Sequence, residues 1–193
     1  VGLTLYCGDK VLYREQGEML FTHFGISGPI VLSASAHCTD GGYRVEIDLK
    51  PALSEKQLDQ RICRDFETFR RKHLINALDE LLPKALIPVM IELSGIEPHK
   101  EVSMITREER LRFGALLKAV PLEITGLCGM EEAIVTAGGV KVSEIDPSTM
   151  QSKVVRGLFF AGEVIDVDAY TGGFNLQIAF STGVLAGENI QEG

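Results

Sequence analysis

Cysteine is scarce in this chain and carries no pattern. The four thiols, Cys7, Cys38, Cys63 and Cys128, form no C-x-x-C and have no histidine at paired spacing. That argues against a disulfide framework and against a zinc or other metal site, and leaves isolated buried thiols as the expectation. No apolar run reaches the length of a membrane span and no signal-peptide pattern is present, so a soluble, cytoplasmic protein with no membrane partner is expected. Basic residues are also short, 19 Lys+Arg against 27 Asp+Glu, for a formal charge of −8. Nucleic-acid surfaces gather lysine and arginine, so the balance argues against nucleic acid as a partner. G-x-S-x-G, H-E-x-x-H, G-x-x-x-x-G-K-[ST] and the dinucleotide fingerprint G-x-G-x-x-G are all missing. Each omission removes a ready-made active-site geometry.

What is present is an ordinary globular composition, 45% hydrophobic and 24% charged over 193 residues, enough to bury a core. The chain opens without methionine in the strand-like Val1-Gly2-Leu3-Thr4-Leu5-Tyr6, which suggests a piece of a longer protein. Charge is spread unevenly. Residues 51–118 hold 12 basic and 11 acidic side chains, a net of +1, whereas the remainder holds 7 and 16, a net of −9. A mixed-charge helical insert within an acidic remainder fits that contrast.

Periodicity divides the chain in the same way. Leu3–Tyr6, Val11–Tyr13 and Met19–Thr22 are short apolar stretches separated by turn residues and predict an antiparallel meander. Pro29 opens a short apolar helix. Tyr43, Val45, Ile47 and Leu49 alternate with polar neighbours and predict a half-buried strand. From residue 54 the period becomes helical. Ser54-x-x-Gln57 and Thr106-x-x-Glu109 match capping boxes, Leu58, Ile62, Phe66 and Phe69 form one stripe, and Gly95 is placed as a C-terminal cap. A second segment carries Leu74, Leu78, Leu81 and Leu82, a third spans Ala85 to Leu93, and a fourth runs from Thr106 to about Ala119. Strand character returns at 122–125, 132–136, 140–142 and 153–155, punctuated by Gly126, Gly129, Gly138 and Gly139.

The last 36 residues carry the chemistry. Leu158-Phe159-Phe160-Ala161 reads as an apolar strand ending in Gly162-Glu163, and Tyr170-Thr171-Gly172-Gly173-Phe174-Asn175-Leu176-Gln177 reads as a glycine loop opening a helix that runs to about Ile190. A strand, a loop and a helix N-terminus gather backbone N–H groups and the positive end of a helix dipole, which suits a phosphate or an electron-rich ring oxygen. The Glu163 carboxylate is placed to accept hydrogen bonds from sugar hydroxyls. Ala179, Gly183, Ala186 and Gly187 give the helix a small-residue face for close approach to a sheet or a flat ring. Thr136-Ala137-Gly138-Gly139-Val140 reads either as a hairpin turn or as backbone passing close to a ligand. His23, among glycines and small polar residues, reads as a structural histidine. His37, His73 and His99 have no acid or nucleophile at telling spacing.

Phe21-Thr22-His23-Phe24-Gly25-Ile26-Ser27-Gly28-Pro29, then Thr136–Val140, then Gly157–Glu163 with Gly172–Gln177, occur in that order. Together they resemble the bacterial BaiN-like (YhiN-like) FAD-dependent oxidoreductases over nearly the whole chain. The resemblance implies an α+β or α/β fold, as a fragment of a Rossmann-type FAD-binding flavoprotein with a β-barrel-like domain carrying a helical insert. Its implied parts are a barrel-like part at 1–51, the insert at 52–119, returning strands at 120–156 and a C-terminal FAD segment at 157–193. It further implies the C-terminal half of an enzyme passing hydride between a nicotinamide or organic substrate and flavin. The partners expected on that basis are a small-molecule substrate and NAD(P)H. FAD contacts fall on Gly162 and Glu163 near the ribityl and pyrophosphate, and on Gly172, Gly173, Phe174, Asn175, Leu176 and Gln177 beside the isoalloxazine. Ala137 stands where the family often has arginine or lysine, so no charged role is assigned there. The alternative reading is a stand-alone substrate- or partner-binding module with no redox activity.

Overall fold

The computed structural model describes residues 1–38 and 42–190. In chain order its elements are β1 (Gly2–Cys7), β2 (Lys10–Gln16), β3 (Leu20–Phe21), β4 (Ile26–Ser27), α1 (Pro29–Ser35), β5 (Tyr43–Asp48), α2 (Glu55–Thr68), α3 (Ile87–Ser94), α4 (Arg107–Lys118), β6 (Val120–Ile124) and α5 (Phe174–Asn189). Strands and helices are segregated along the chain, an α+β arrangement. Two compact units result, one of residues 1–17 and 42–124, the other of 18–41 and 125–193.

The first unit is built on a four-stranded antiparallel sheet, ordered β2-β1-β5-β6. Alternation decides which face is buried. Leu3 and Leu5 of β1 lie opposite Ile47 and Val45 of β5, and all four are buried. Thr4, Glu46 and Asp48 project to the other face, where Arg14 Nε donates to Thr4 Oγ1 at 3.1 Å. The connection from β5 to β6 is the helical block. Leu58 and Ile62 of α2, Met90 and Ile91 of α3, and Phe113 and Leu117 of α4 are essentially inaccessible and form its centre. Lys118 ties the block back to the sheet, with Nζ 2.5 Å from Asp48 and donating to the carbonyls of Lys50 and Leu53.

Both capping boxes form. Ser54 caps α2 and Thr106 caps α4, each with the reciprocal bond from the residue three positions on, and Gly95 closes α3 in the left-handed conformation. The segment at 74–82 differs from its expectation. Only Leu74–Asn76 makes a 3-10 turn, and turns follow to Pro83. Leu74, Leu78, Leu81 and Leu82 are nonetheless buried, so the leucines mark the core although the backbone is not an α-helix.

Glu109 is the residue through which capping and charge meet. It accepts from the backbone N–H of Thr106 at 2.7 Å and from Lys100 Nζ at 2.7 and 2.9 Å. The Lys100 bond first, then the Thr106 backbone bond, hold its carboxyl below the usual glutamate range. A depressed folded-state pKa adds stability above the unfolded-state value and loses it as pH falls through the folded-state value. Glu109→Gln is therefore expected to cost on the order of 0.5–1 kcal/mol at pH 7, the side chain being partly exposed. Denaturant titrations should show that deficit shrinking as pH drops below about 4, the ordinary glutamate value. An equal deficit at pH 7 and pH 3 would remove the ionic contribution.

The second unit is less regular. β3 and β4 make a two-residue hairpin, and Gly28 precedes α1 with φ +101, where an added Cβ would sit 2.8 Å from Met19 Cα. The strands expected at 132–136, 140–142 and 153–155 do not form. Ile134, Val154 and Val155 are exposed, and the N–H groups of Val154 and Val155 both go to Ser152 Oγ, making a turn instead. β-branched residues favour a pleated, half-buried surface, and here they have none. The expected strand at 158–161 is reduced to one bridge, Phe159 with Gln151. Ile145, Met150, Ile165 and Ala186 form one core cluster of this unit, with Val140, Phe159, Phe160 and Leu185 packed on it, and Ile30 and Ala34 of α1 are buried as well.

The cysteine expectation needs one correction. All four thiols are free, but none is fully buried, Cys7 and Cys128 being exposed and Cys38 and Cys63 half-buried. Cys7 is the last residue of β1, at the end of the sheet, and Cys128 lies in irregular chain, and both side chains are exposed.

Candidate functional site

The site is built around the start of α5. Gly173 is its N-cap in the left-handed conformation, φ +86, with open space where a Cβ would be. That conformation is costly for any residue with a side chain. No side chain caps this end, and no acid lies in the first turn. A sixteen-residue helix thus presents the positive end of its dipole without a carboxylate in its own first turn.

Close packing sets this helix against the turn at Gly162–Val164. Gly162, at φ +74, donates its N–H to Thr182 Oγ1 at 2.9 Å, and Thr182 in turn donates to the Ile178 carbonyl at 2.7 Å. Ala179 Cβ would be 3.8 Å from a Cβ on Gly162, an ordinary contact. The small face of α5 is what lets the turn approach. Ala186 on the same side enters the core cluster.

Glu163 does not stand free at the turn. Its Oε1 accepts from the backbone N–H of Thr136 at 3.2 Å, drawing the Thr136–Val140 loop to the same place. That loop is held further on by a two-way backbone exchange, Val140 N–H to the Val164 carbonyl and Asp166 N–H to the Val140 carbonyl, at 2.9 and 3.0 Å. Gly139, at φ +142, leaves no room for a side chain, since an added Cβ would lie 2.5 Å from the Val164 oxygen. Gly139 therefore answers to close approach of backbone to backbone, whereas Gly138 faces open space.

Asn175 clamps the loop that enters the helix. Its side-chain oxygen accepts from the Ala169 N–H and its amide donates to the Ala169 carbonyl, both at 2.8 Å. Gln177 turns to Ser181 Oγ at 3.0 Å, and Gly172 lies at φ +138 against the Phe174 ring. Phe174 and Leu176 point outward, each at least 60% exposed. The structure thus sets Gly162 against Ala179 and Thr182 on the side of α5 and leaves the 172–177 segment at its start, with the polar side chains of Asn175 and Gln177 spent on the protein itself.

Removing the clamp has a local consequence. Asn175→Ala should cost about 1–2 kcal/mol, the net worth of a doubly hydrogen-bonded amide. The expected readout is faster amide exchange at residues 169–173 with the sheet of the first unit unchanged. Exchange rates at 169–173 equal to wild type would remove the clamp.

Three features escaped sequence reasoning. Thr182 could be suspected only as a threonine that bonds the preceding turn of its helix. Thr136 as the partner of Glu163 gave no local signal. His37 and Tyr170, 133 positions apart, meet with Nε2 and Oη 2.6 Å apart. His23 sits at the tip of the β3–β4 hairpin, edge-on to Phe24, in a turn closed by Thr22 Oγ1. Among the described residues no cluster of three metal-ligating side chains occurs, and no helix is long and apolar enough to cross a membrane.

An antiparallel sheet interrupted by a helical block, joined in sequence to a glycine-opened helix, defines a class of two-unit α+β protein. The family described as the HI0933-like protein barrel and H2TH domain matches residues 2–135, and the chain belongs to it. The chain is 34% identical over 193 residues to a 3-dehydro-bile acid delta(4,6)-reductase of Clostridium scindens, a match covering 96% of the chain and 46% of that protein. It is 35% identical over 182 residues to a ribosomal RNA dihydrouridine synthase of Haemophilus influenzae, covering 94% of the chain and 43% of that protein. A ribosomal RNA dihydrouridine synthase of Escherichia coli matches at 34% over 182 residues, covering 90% and 42%. The chain spans less than half the length of these relatives. Two of these names refer to ribosomal RNA, which weighs against the expectation that nucleic acid is not a partner.

Proposed function

We propose that this chain is part of an FAD-dependent oxidoreductase that adds two hydrogens across a carbon–carbon double bond conjugated with a carbonyl. The observation that carries the reading is the start of α5, a left-handed Gly173 cap with no side chain over it, on a helix whose Thr182 packs against the Gly162–Glu163 turn. Family membership and the names of the relatives support it. A 3-dehydro delta(4,6) acid and the uracil ring of uridine share an unsaturated bond next to a carbonyl, so one chemistry covers both names.

The residues fit a flavin. Space is open where Cβ atoms on Gly138 and Gly173 would project, and the first turn of α5 offers backbone N–H groups to a polar ring edge. In this proposal Gly173, Phe174, Asn175 and Leu176 approach the ring, with Gly172 and Gln177 shaping the loop, and Gly162 and Glu163 lie toward the ribityl chain. Phe174 and Leu176 supply apolar contact, while Asn175 acts through the loop it clamps. When bound, FAD supplies two-electron transfer as hydride, and the helix dipole favours the negative charge that accumulates on reduction. NAD(P)H is the proposed electron donor. The proposed substrate is a small molecule, with an RNA uridine as the competing case.

Spectroscopy on the full-length protein tests this. A yellow protein whose absorbance bleaches with a reduced nicotinamide and returns with an unsaturated ketone is the expected result. A colourless protein that cannot be reconstituted with FAD would falsify it.

A further inference from the structure

We infer that the solvent-facing side of α5 between Phe180 and Gly187 is a docking surface for the part of the full-length protein outside these 193 residues. The inference does not use the oxidoreductase reading and concerns the helix beyond its first turn. α5 is apolar on two opposite sides. One side meets its own unit, with Ala186 in the core cluster, Leu185 packed on it and Thr182 accepting from the Gly162 N–H. The other carries Phe180 and Val184, 68% and 61% exposed and one turn apart. Beside them Gly183 and Gly187 leave a notch, since nothing lies within 4 Å of a Cβ built on either. Positions 180, 183, 184 and 187 share one face of a helix. Glu188 is the one charged residue of α5. A helix that is apolar all round belongs inside a fold.

The second unit as a whole bears the same mark. Among the described residues, eighteen of the twenty-three exposed large hydrophobic side chains belong to it, Phe21, Ile134 and Val154 among them, although the two units are nearly equal in length. Buried hydrophobic side chains run the other way, six here against twenty in the first unit. Monomeric proteins rarely leave so much apolar surface to water, and a core divided between two pieces of chain has this composition. The matched region is 42–46% of each relative, so more than half of such a polypeptide remains to cover it. A piece tethered in the same chain acts at an effective concentration on the order of millimolar, ahead of a separate molecule. A lipid surface does not match, because helices that lie on membranes are rich in lysine and arginine and α5 has neither. The partner face is therefore apolar and uncharged, and it comes close enough to fill the Gly183–Gly187 notch.

Thiol accessibility in the full-length protein tests this, read by mass spectrometry of the α5 peptide after a short pulse of maleimide. Val184→Cys is expected to react at least about 10²-fold more slowly in the native protein than in the same protein unfolded in denaturant. That protection should be equal at nanomolar and at high micromolar protein. Protection lost on dilution would mean that a second copy covers the face, and a native rate near the unfolded one would mean that nothing does. Either result overturns the inference. Gly187→Leu supplies a second readout. On an open helix it would raise the melting temperature, because glycine is among the poorest helix formers. Overfilling an occupied notch should instead lower it by several degrees. An unchanged or raised melting temperature overturns the notch as the seat. Neither readout uses turnover or bound flavin, so failure here leaves the oxidoreductase reading standing, and a colourless full-length protein leaves this inference standing.

Discussion

Ile62→Asp is expected to lower the melting temperature of the first unit steeply. Ile62 is wholly inaccessible on the inner face of α2, and α4 passes so close that a Cβ on Gly114 would lie 3.6 Å from its Cδ1. The aspartate would find no donor among Leu58, Phe113 and Leu117, the fully buried residues of the helices it joins. Burying an unpaired charge there and losing the packed branch together cost on the order of 4–5 kcal/mol. Domains of this size hold only about 5–15 kcal/mol in total, so from about a third to nearly all of the margin goes. Ile62→Val, which keeps the shape, should cost about 1 kcal/mol. The sign of the pH response separates charge from volume. Burial raises the folded-state pKa of the new carboxyl, so the variant regains stability as pH falls below that value and loses it as pH rises through it. Thermal unfolding followed by circular dichroism at pH 4 and pH 7 reads both effects, and wild-type melting at both would remove Ile62 from the core.

Where the sequence repeats a physical rule over many residues, its reading and the structure agree. Two capping boxes, a stripe at Leu58 and Ile62, and the alternation at Tyr43–Asp48 each state the same preference several times over, and each forms. Val154 and Val155 show the limit. β-branched residues prefer strands only where a neighbouring strand offers a surface, and Ser152 captures both N–H groups first. Leu74 to Leu82 shows another, since burial is legible in leucine content while helix type depends on turns that Pro83 closes.

At the candidate site, the glycines announced left-handed backbone but not what approached it. Gly139 is tight because Val164 lies behind it, and Asn175 is occupied with Ala169, facts that follow from tertiary pairing across the second unit. The His37–Tyr170 pair depends on a separation of 133 residues, and no local pattern encodes such a meeting. Side chains that act on backbone nearby were within reach of sequence rules, whereas side chains that meet across the unit were not.

FAD is expected to bind these 193 residues with a dissociation constant of about 1 mM or weaker. A dinucleotide site of the Rossmann kind draws its pyrophosphate grip from a G-x-G-x-x-G loop at a helix N-terminus and its ribose selectivity from an acid some 20 residues on. These 193 residues contain no such fingerprint. What they do have is the start of α5, Gly162 and a Glu163 already bonded to Thr136, the contacts proposed above for the ring and the ribityl chain. Several kcal/mol of lost translational and rotational freedom must be offset before any affinity appears, and about −4 kcal/mol corresponds to a millimolar complex. The full-length protein, with both halves of the cofactor enclosed, should bind at least 10³-fold more tightly, a difference of about 4 kcal/mol. Titration of the purified chain with FAD, following quenching of flavin fluorescence, measures the weaker value directly. A micromolar constant would mean that the 162–177 region grips the adenosine half as well, and the assignment of Gly162 and Glu163 to the ribityl end would then be wrong.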